Sequence, residues 1–160
     1  TMCPSLVDGS GGFGARWVRR VANWPLHPVP ADAAGLLAPL AAADLGEALA
    51  ELAVGVDVSA LGRVHELGGT DLRPMRDHLA AMRSRPGRGR AIALPGLLAR
   101  LLSHVCDLLH TTPYSYGHYE LLLRDNVPAD NQLPALLRRS PRRVGQCGAA
   151  SRPADSKVCC

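Results

Sequence analysis

The chain has 160 residues, 47% hydrophobic and 20% charged, with a formal net charge of +4 and mean hydropathy near zero. That length supports one domain with a real core, or parts of two. The composition excludes a membrane span, which needs about 18 consecutive apolar residues, and no basic-then-apolar leader opens the chain. A cytoplasmic setting is the expectation. The chain begins at Thr1 and enters a β-prone run almost at once, so a piece of a longer protein is expected.

The positive charge is local. Arg83, Arg85, Arg88 and Arg90 crowd one Pro/Gly linker, and Arg138, Arg139, Arg142, Arg143 and Arg152 crowd the end. No aromatic residue interleaves either cluster, so solvated loops are expected rather than a nucleic-acid footprint. The five cysteines lack metal spacing and do not describe a disulfide framework. Cys106 reads as a small buried hydrophobe. The Cys159-Cys160 pair stands in a chain without the phosphate loop that would make it a prenylated GTPase tail.

Taken in order, Ser5 to Val7 predicts a short strand, and Asp8 to Gly12 a loop. Phe13 to Val21 predicts a helix with Phe13, Trp17, Val18 and Val21 on one face and Arg16, Arg19 and Arg20 on the other. Trp24 to Pro30 contains too many prolines for a helix and reads as an extended connector. Leu36 to Leu40 reads as a short strand broken by Pro39. Asp44 predicts a helix N-cap with Glu47 as its capping-box partner, Leu45, Ala48, Leu49 and Leu52 as the buried stripe, and Gly55 as the stop.

Val56 to Val58 and Arg63 to Leu67 predict strands. Thr70 or Asp71 is expected to cap a helix carrying Leu72, Met75, Leu79 and Met82. Ala91 to Leu94 is extended, and Pro95 opens a helix on which Leu97, Leu98, Leu101, Leu102, Val105, Leu108 and Leu109 are expected to face inward. Tyr119 to Leu123 predicts a short helix. Asp130 is expected to cap another with Leu133, Leu136 and Leu137. From Ser140 onward the composition predicts disorder.

Gly9, Gly11 and Gly14 fit G-x-G-x-x-G, a dinucleotide fingerprint when it opens a complete βαβ unit. Asp32 has roughly the spacing of the ribose-binding acid, but Pro25, Pro28 and Pro30 occupy the second strand's place. The spacing alone therefore does not make a pyrophosphate loop. His65, His104, His110 and His118 form no ligand spacing with an acid or thiol, and a Cys106-based nucleophile lacks a base facing the same way.

The order of motifs resembles the C-terminal portion of extended or atypical short-chain dehydrogenase/reductases. These are NAD(P)-dependent epimerase/dehydratase-like proteins, and the match includes the branch of the nucleotide-binding accessory subunit of respiratory complex I. The segments that carry it are Cys3-Pro4-Ser5-Leu6-Val7-Asp8-Gly9-Ser10-Gly11-Gly12, Trp24-Pro25-Leu26-His27-Pro28-Val29-Pro30, Pro39-Leu40-Ala41-Ala42-Ala43-Asp44-Leu45-Gly46-Glu47-Ala48, Glu66-Leu67-Gly68-Gly69-Thr70-Asp71, and Asp125-Asn126-Val127 with Leu133-Pro134-Ala135-Leu136-Leu137-Arg138-Arg139-Ser140-Pro141. The resemblance spans about residues 3–145.

It implies an α/β fold: the last strands and helices of a Rossmann-type NAD(P)-binding domain over residues 1–58, a small, mainly helical substrate-side lobe over 59–139, and a disordered tail over 140–160. It implies NAD or NADP as cofactor, with Pro4, Ser5 and Leu6 at the nicotinamide end of the cleft. A respiratory-complex or other protein partner, and peripheral attachment at the inner membrane, follow from the complex I branch. Neither nucleic acid nor a transmembrane segment is expected. Cys3, Asp8 and Ser10 depart from the family's Arg, aromatic and Pro. No T-G-x-x-G-x-x-G loop and no Tyr-x-x-x-Lys pair occurs, since the sole lysine is Lys157. The chain is therefore expected to carry no catalytic set and no metal site of its own. Two other readings stand beside it: a self-contained helical interaction module presenting Pro95 to Leu109, and the ligand-binding domain of a transcriptional regulator.

Overall fold

A computed structural model describes residues 1–9, 11–54, 64–84, 89–110 and 114–145. They form a mixed α/β fold. The strand β1 (Met2–Pro4) runs parallel to β6 (His65–Leu67), β2 (Val7–Asp8) to β5 (Leu40–Ala41), and β3 (Leu26–Pro30) to β8 (Arg90–Leu94). An antiparallel pair joins β4 (Leu36–Leu37) to β7 (Arg73–Pro74). Parallel partners need long crossovers, and the helices α1 (Phe13–Ala22), α2 (Ala42–Val54) and α3 (Met75–Ala81) lie within them. Three further helices follow: α4 (Gly96–Leu109), α5 (Tyr116–Leu123) and α6 (Leu133–Leu137). No helix among the described residues is long and apolar enough to cross a membrane. The Val56–Val58 strand, Gly55 and Arg63 lie outside the described residues.

The expected strand over Ser5 to Val7 divides in two, because the chain changes partner in its middle. The N–H of Ser5 still donates to Leu67 O at 2.8 Å, continuing β1 along β6, whereas the carbonyl of Leu6 accepts from Leu40 N at 2.9 Å, beginning the contact with β5. The Ser5 hydroxyl holds this crossing point. It donates to Asn126 O at 2.5 Å and accepts from Ala38 N at 3.3 Å.

The proline-rich connector is a paired strand. Ala31 N donates to Leu94 O at 2.8 Å, and Arg90 N to Pro25 O at 2.9 Å. Successive residues of a strand point their N–H groups to opposite sides. Pro28 and Pro30 therefore fall where an N–H would point away from β8, and β3 loses no ladder bond to them. The prolines instead remove two donors from its far side.

Other expectations are corrected. Helix α2 begins at Ala42, and Asp44 does not act as its cap. Its side chain has 0% exposure and bonds Arg139 and Arg142, while Glu47 also turns to Arg139. Helix α3 starts at Met75, after Pro74 and beyond Thr70 and Asp71, because proline disfavours helical backbone in the residue before it. Leu72 consequently stays 53% exposed. At α6, Asn131 rather than Asp130 meets the helix start, its Oδ1 accepting from Leu133 N at 3.2 Å. The segment expected to be disordered from Ser140 is anchored through Arg142 and by Val144, which is 4% exposed. Residues 146–160 lie outside the described residues.

Helix α4 is turned from the expected orientation. Ala99 and Ser103 are fully buried, while Leu97 is 84% and Leu108 79% exposed. At about 100° per residue, Cys106, Ala99 and Ser103 form a narrow small-residue face. The seven large apolar residues spread over an arc of about 140° beside it. Small residues let the helix backbone approach the body closely, so the body takes the small face and the leucines point outward.

Two apolar clusters hold the molecule together. One gathers Ala22, Val29, Leu79, Met82 and Val144, linking α1, β3, α3 and the C-terminal segment. The other gathers Leu40, Ala48, Leu67, Leu133 and Leu137, linking the β5–α2 unit to β6 and α6.

Candidate functional site

A cavity of about 400 Å³ opens between α1, β3, α3 and the α4–α5 pair. Its walls are mainly apolar. Trp17, Val18 and Val21 come from one side, Pro28 and Val29 from the second, Met75 and Leu79 from the third, and Leu102, Cys106 and Leu122 from the fourth. The alternation of α1 explains its share: Trp17, Val18 and Val21 recur on one face, as the sequence predicts, but Phe13 on the same stripe is 67% exposed. Trp17 and Trp24, which both line the cavity, pack edge to face with centroids 5.9 Å apart. Cys106, expected in the core, lines this cavity instead and is half-buried.

The polar groups at the cavity are few. Asp8 lines it and is paired with Arg19, whose Nη2 donates to both carboxylate oxygens at 2.6 and 2.8 Å. Asn126, Tyr114, His118 and His78 complete the set. His78 is 1% exposed. Burial, then the Arg73 and Arg19 guanidiniums, lower its pKa from 6.5 to about 4, so it is neutral at physiological pH. Burial, followed by the neighbouring Tyr119, Cys106 and Asp32, raises the Tyr114 phenol to about 12. Both therefore present uncharged hydrogen-bonding groups. The sequence reading passed over His78, although Met75, His78, Leu79 and Met82 recur at i, i+3, i+4 and i+7, the helical signature of a shared buried face.

The three residues expected at the nicotinamide end are close in the chain but differ in setting. Pro4 is exposed at the end of β1, Ser5 is buried and bonded as above, and Leu6 is half-buried and lines the cavity. Segments distant in sequence converge on Ser5. Leu67 O accepts its N–H, Ala38 N donates to its hydroxyl, and Asn126 O accepts from that hydroxyl. Gly69 seals the same junction by donating to Ala38 O at 3.0 Å. Its missing side chain is required there, since a Cβ would stand 1.9 Å from the Pro39 carbonyl oxygen.

The glycine loop does not open a compact βαβ unit. β2 pairs with β5, whereas the strand after α1 pairs with β8. Asp32 accepts the Tyr119 hydroxyl at 2.7 Å and so braces α5. Of the three glycines, only Gly9 is crowded, a Cβ there meeting the Ala42 side chain at 2.9 Å. His104 stacks on Tyr116 at 4.4 Å, and His118 bonds Ser115 at 2.6 Å. Among the described residues, no group of three His, Cys, Asp or Glu side chains could hold a metal ion.

No protein-family model matches the chain, and comparison with curated protein sequences finds no match.

Proposed function

We propose that this chain is the C-terminal part of an NAD(P)-binding, epimerase/dehydratase-like protein, and that it contributes the nicotinamide-facing strand end and a ligand cavity rather than a catalytic set. One observation carries the reading. Three segments that bear the sequence resemblance, at Ser5, Leu67 and Asn126, meet at the Ser5 hydroxyl and backbone, and Ala38, the residue before the Pro39 segment, donates to the same hydroxyl. In α/β proteins of this kind, ligands bind where parallel strands end, and the strand end at Leu6 to Asp8 opens on the cavity. Saturation-transfer NMR with NAD tests the proposal. The nicotinamide protons should receive saturation from the protein while the adenine protons receive little, because the adenine-binding half lies outside this chain. Saturation of adenine alone, or of neither ring, contradicts it.

The outward apolar arc of α4 favours a second reading, a protein-interaction role for this helix. Contiguous exposed apolar surface of this kind marks docking sites. Dilution of the chain in analytical ultracentrifugation separates self-association from a monomer that awaits another partner.

A further inference from the structure

One polar group in the cavity wall is left unused by the fold. His78 lines the cavity and is 1% exposed, and its Nδ1 is buried with no hydrogen-bond partner among the described residues. An unpaired buried polar atom is destabilising and calls for a physical explanation. The volume, about 400 Å³, falls within the ~300–1,000 Å³ of small-molecule sites.

The surroundings select the ligand. Trp17, Val18, Met75 and Leu79 demand a mostly apolar body. A cation is disfavoured by the positive charge of Arg73 near His78. A carboxylate fares no better: Arg19 is already paired with Asp8 at 2.6 Å, Arg73 donates to the Val144 carbonyl and does not line the cavity, and a buried anion without its own partner is costly. A neutral oxygen bearing partial negative charge suits both the nearby Arg73 charge and a neutral imidazole donor. We propose that the cavity binds a mostly apolar molecule through one carbonyl oxygen, which accepts a hydrogen bond from the Nδ1–H of His78. Rotation of the ring about χ2, a broad torsion, brings the nitrogen to the ligand. The inference stands whether or not a nicotinamide group reaches Leu6.

Cyclohexyl methyl ketone and its hydrocarbon counterpart isopropylcyclohexane are the probes, followed by nitrogen NMR of the His78 imidazole and of the Trp17 and Trp24 indoles. Both probes should shift the indole signals saturably, and only the ketone should shift His78 Nδ1. In His78→Phe the ketone's affinity should fall about fivefold, the share of one neutral hydrogen bond, with the hydrocarbon's unchanged. His78→Asn, which keeps an N–H donor near the place of Nδ1, should restore most of the loss. The proposal is overturned if neither probe binds, if the ketone leaves Nδ1 unmoved, or if a folded Phe variant weakens both probes equally. Should the Phe variant fail to fold, the wild-type Nδ1 response decides alone.

Discussion

The carboxylate of Asp44 accepts hydrogen bonds from the backbone N–H of Arg142 at 2.6 Å and from its guanidinium at 2.7 Å, across 98 positions of sequence. Arg139 adds a further bond at 2.7 Å. A carboxylate with no exposure is thus satisfied entirely by the C-terminal segment, and it pins that segment against α2. The two guanidiniums are 33% and 53% exposed, so they regain water when Asp44 is removed. Asp44→Ala should therefore cost about 2–3 kcal/mol, below the ~3–5 of a fully buried pair. Urea unfolding measures the loss, and amide exchange at Val144 should rise with it. A loss under about 0.5 kcal/mol, the range of ordinary surface changes, contradicts the anchoring role.

His78 makes stability depend on pH in one direction. Its folded pKa, about 4, lies below the unfolded value of 6.5, so the folded state binds fewer protons between them. Stability is full above about 6.5, falls as pH drops toward about 4, and levels off where both states are protonated. The contribution is on the order of 3 kcal/mol. Urea unfolding across this range should show a shallower acid slope for His78→Gln than for the wild type. Equal slopes refute it.

Gly69, two residues past the end of β6, lies against the Pro39 carbonyl, and a Cβ would approach that oxygen to 1.9 Å. Both atoms belong to constrained backbone, so neither moves away easily. Gly69→Ala should destabilise by about 3 kcal/mol, the range of overpacking at a close-packed junction. Thermal unfolding reads the shift, and an unchanged midpoint would mean the junction is looser than described.

The orientation of α4 is open to a direct check. Leu97→Ser and Leu108→Ser should each change stability by less than about 0.5 kcal/mol, as exposed positions do. Ala99→Leu should cost about 1–3 kcal/mol, because Ala99 is fully buried on the face turned to the body. The reverse ranking would restore the inward-facing leucines.

The sequence signals that survived were local ones. The α1 stripe of Trp17, Val18 and Val21, and the stop in helicity at Pro25 to Pro30, depend on neighbouring residues and are visible in any window. The signals that failed were decided at a distance. Asp44 and Glu47 have the spacing of a capping box, but two arginines nearly a hundred positions on compete for the same carboxylates. The periodicity of α4 identifies an apolar face without stating which face the body takes, and its Ala99–Ser103 face allows closer approach. His78 went unnoticed because a histidine on a Met/Leu stripe looks like core until a cavity stands beside it. The pairing of β3 with β8 was hidden because prolines at alternate positions argue against a strand unless the register is known.

Residue-resolved amide NMR during titration with nicotinamide mononucleotide tests the central claim most directly. The account predicts saturable shifts centred on Leu6, Val7 and Asp8, extending to Asn126 across the Ser5 hydrogen bond, with α6 and its Leu133 unmoved. Shifts absent from Leu6 to Asp8, or confined to the outer face of α4, would contradict it.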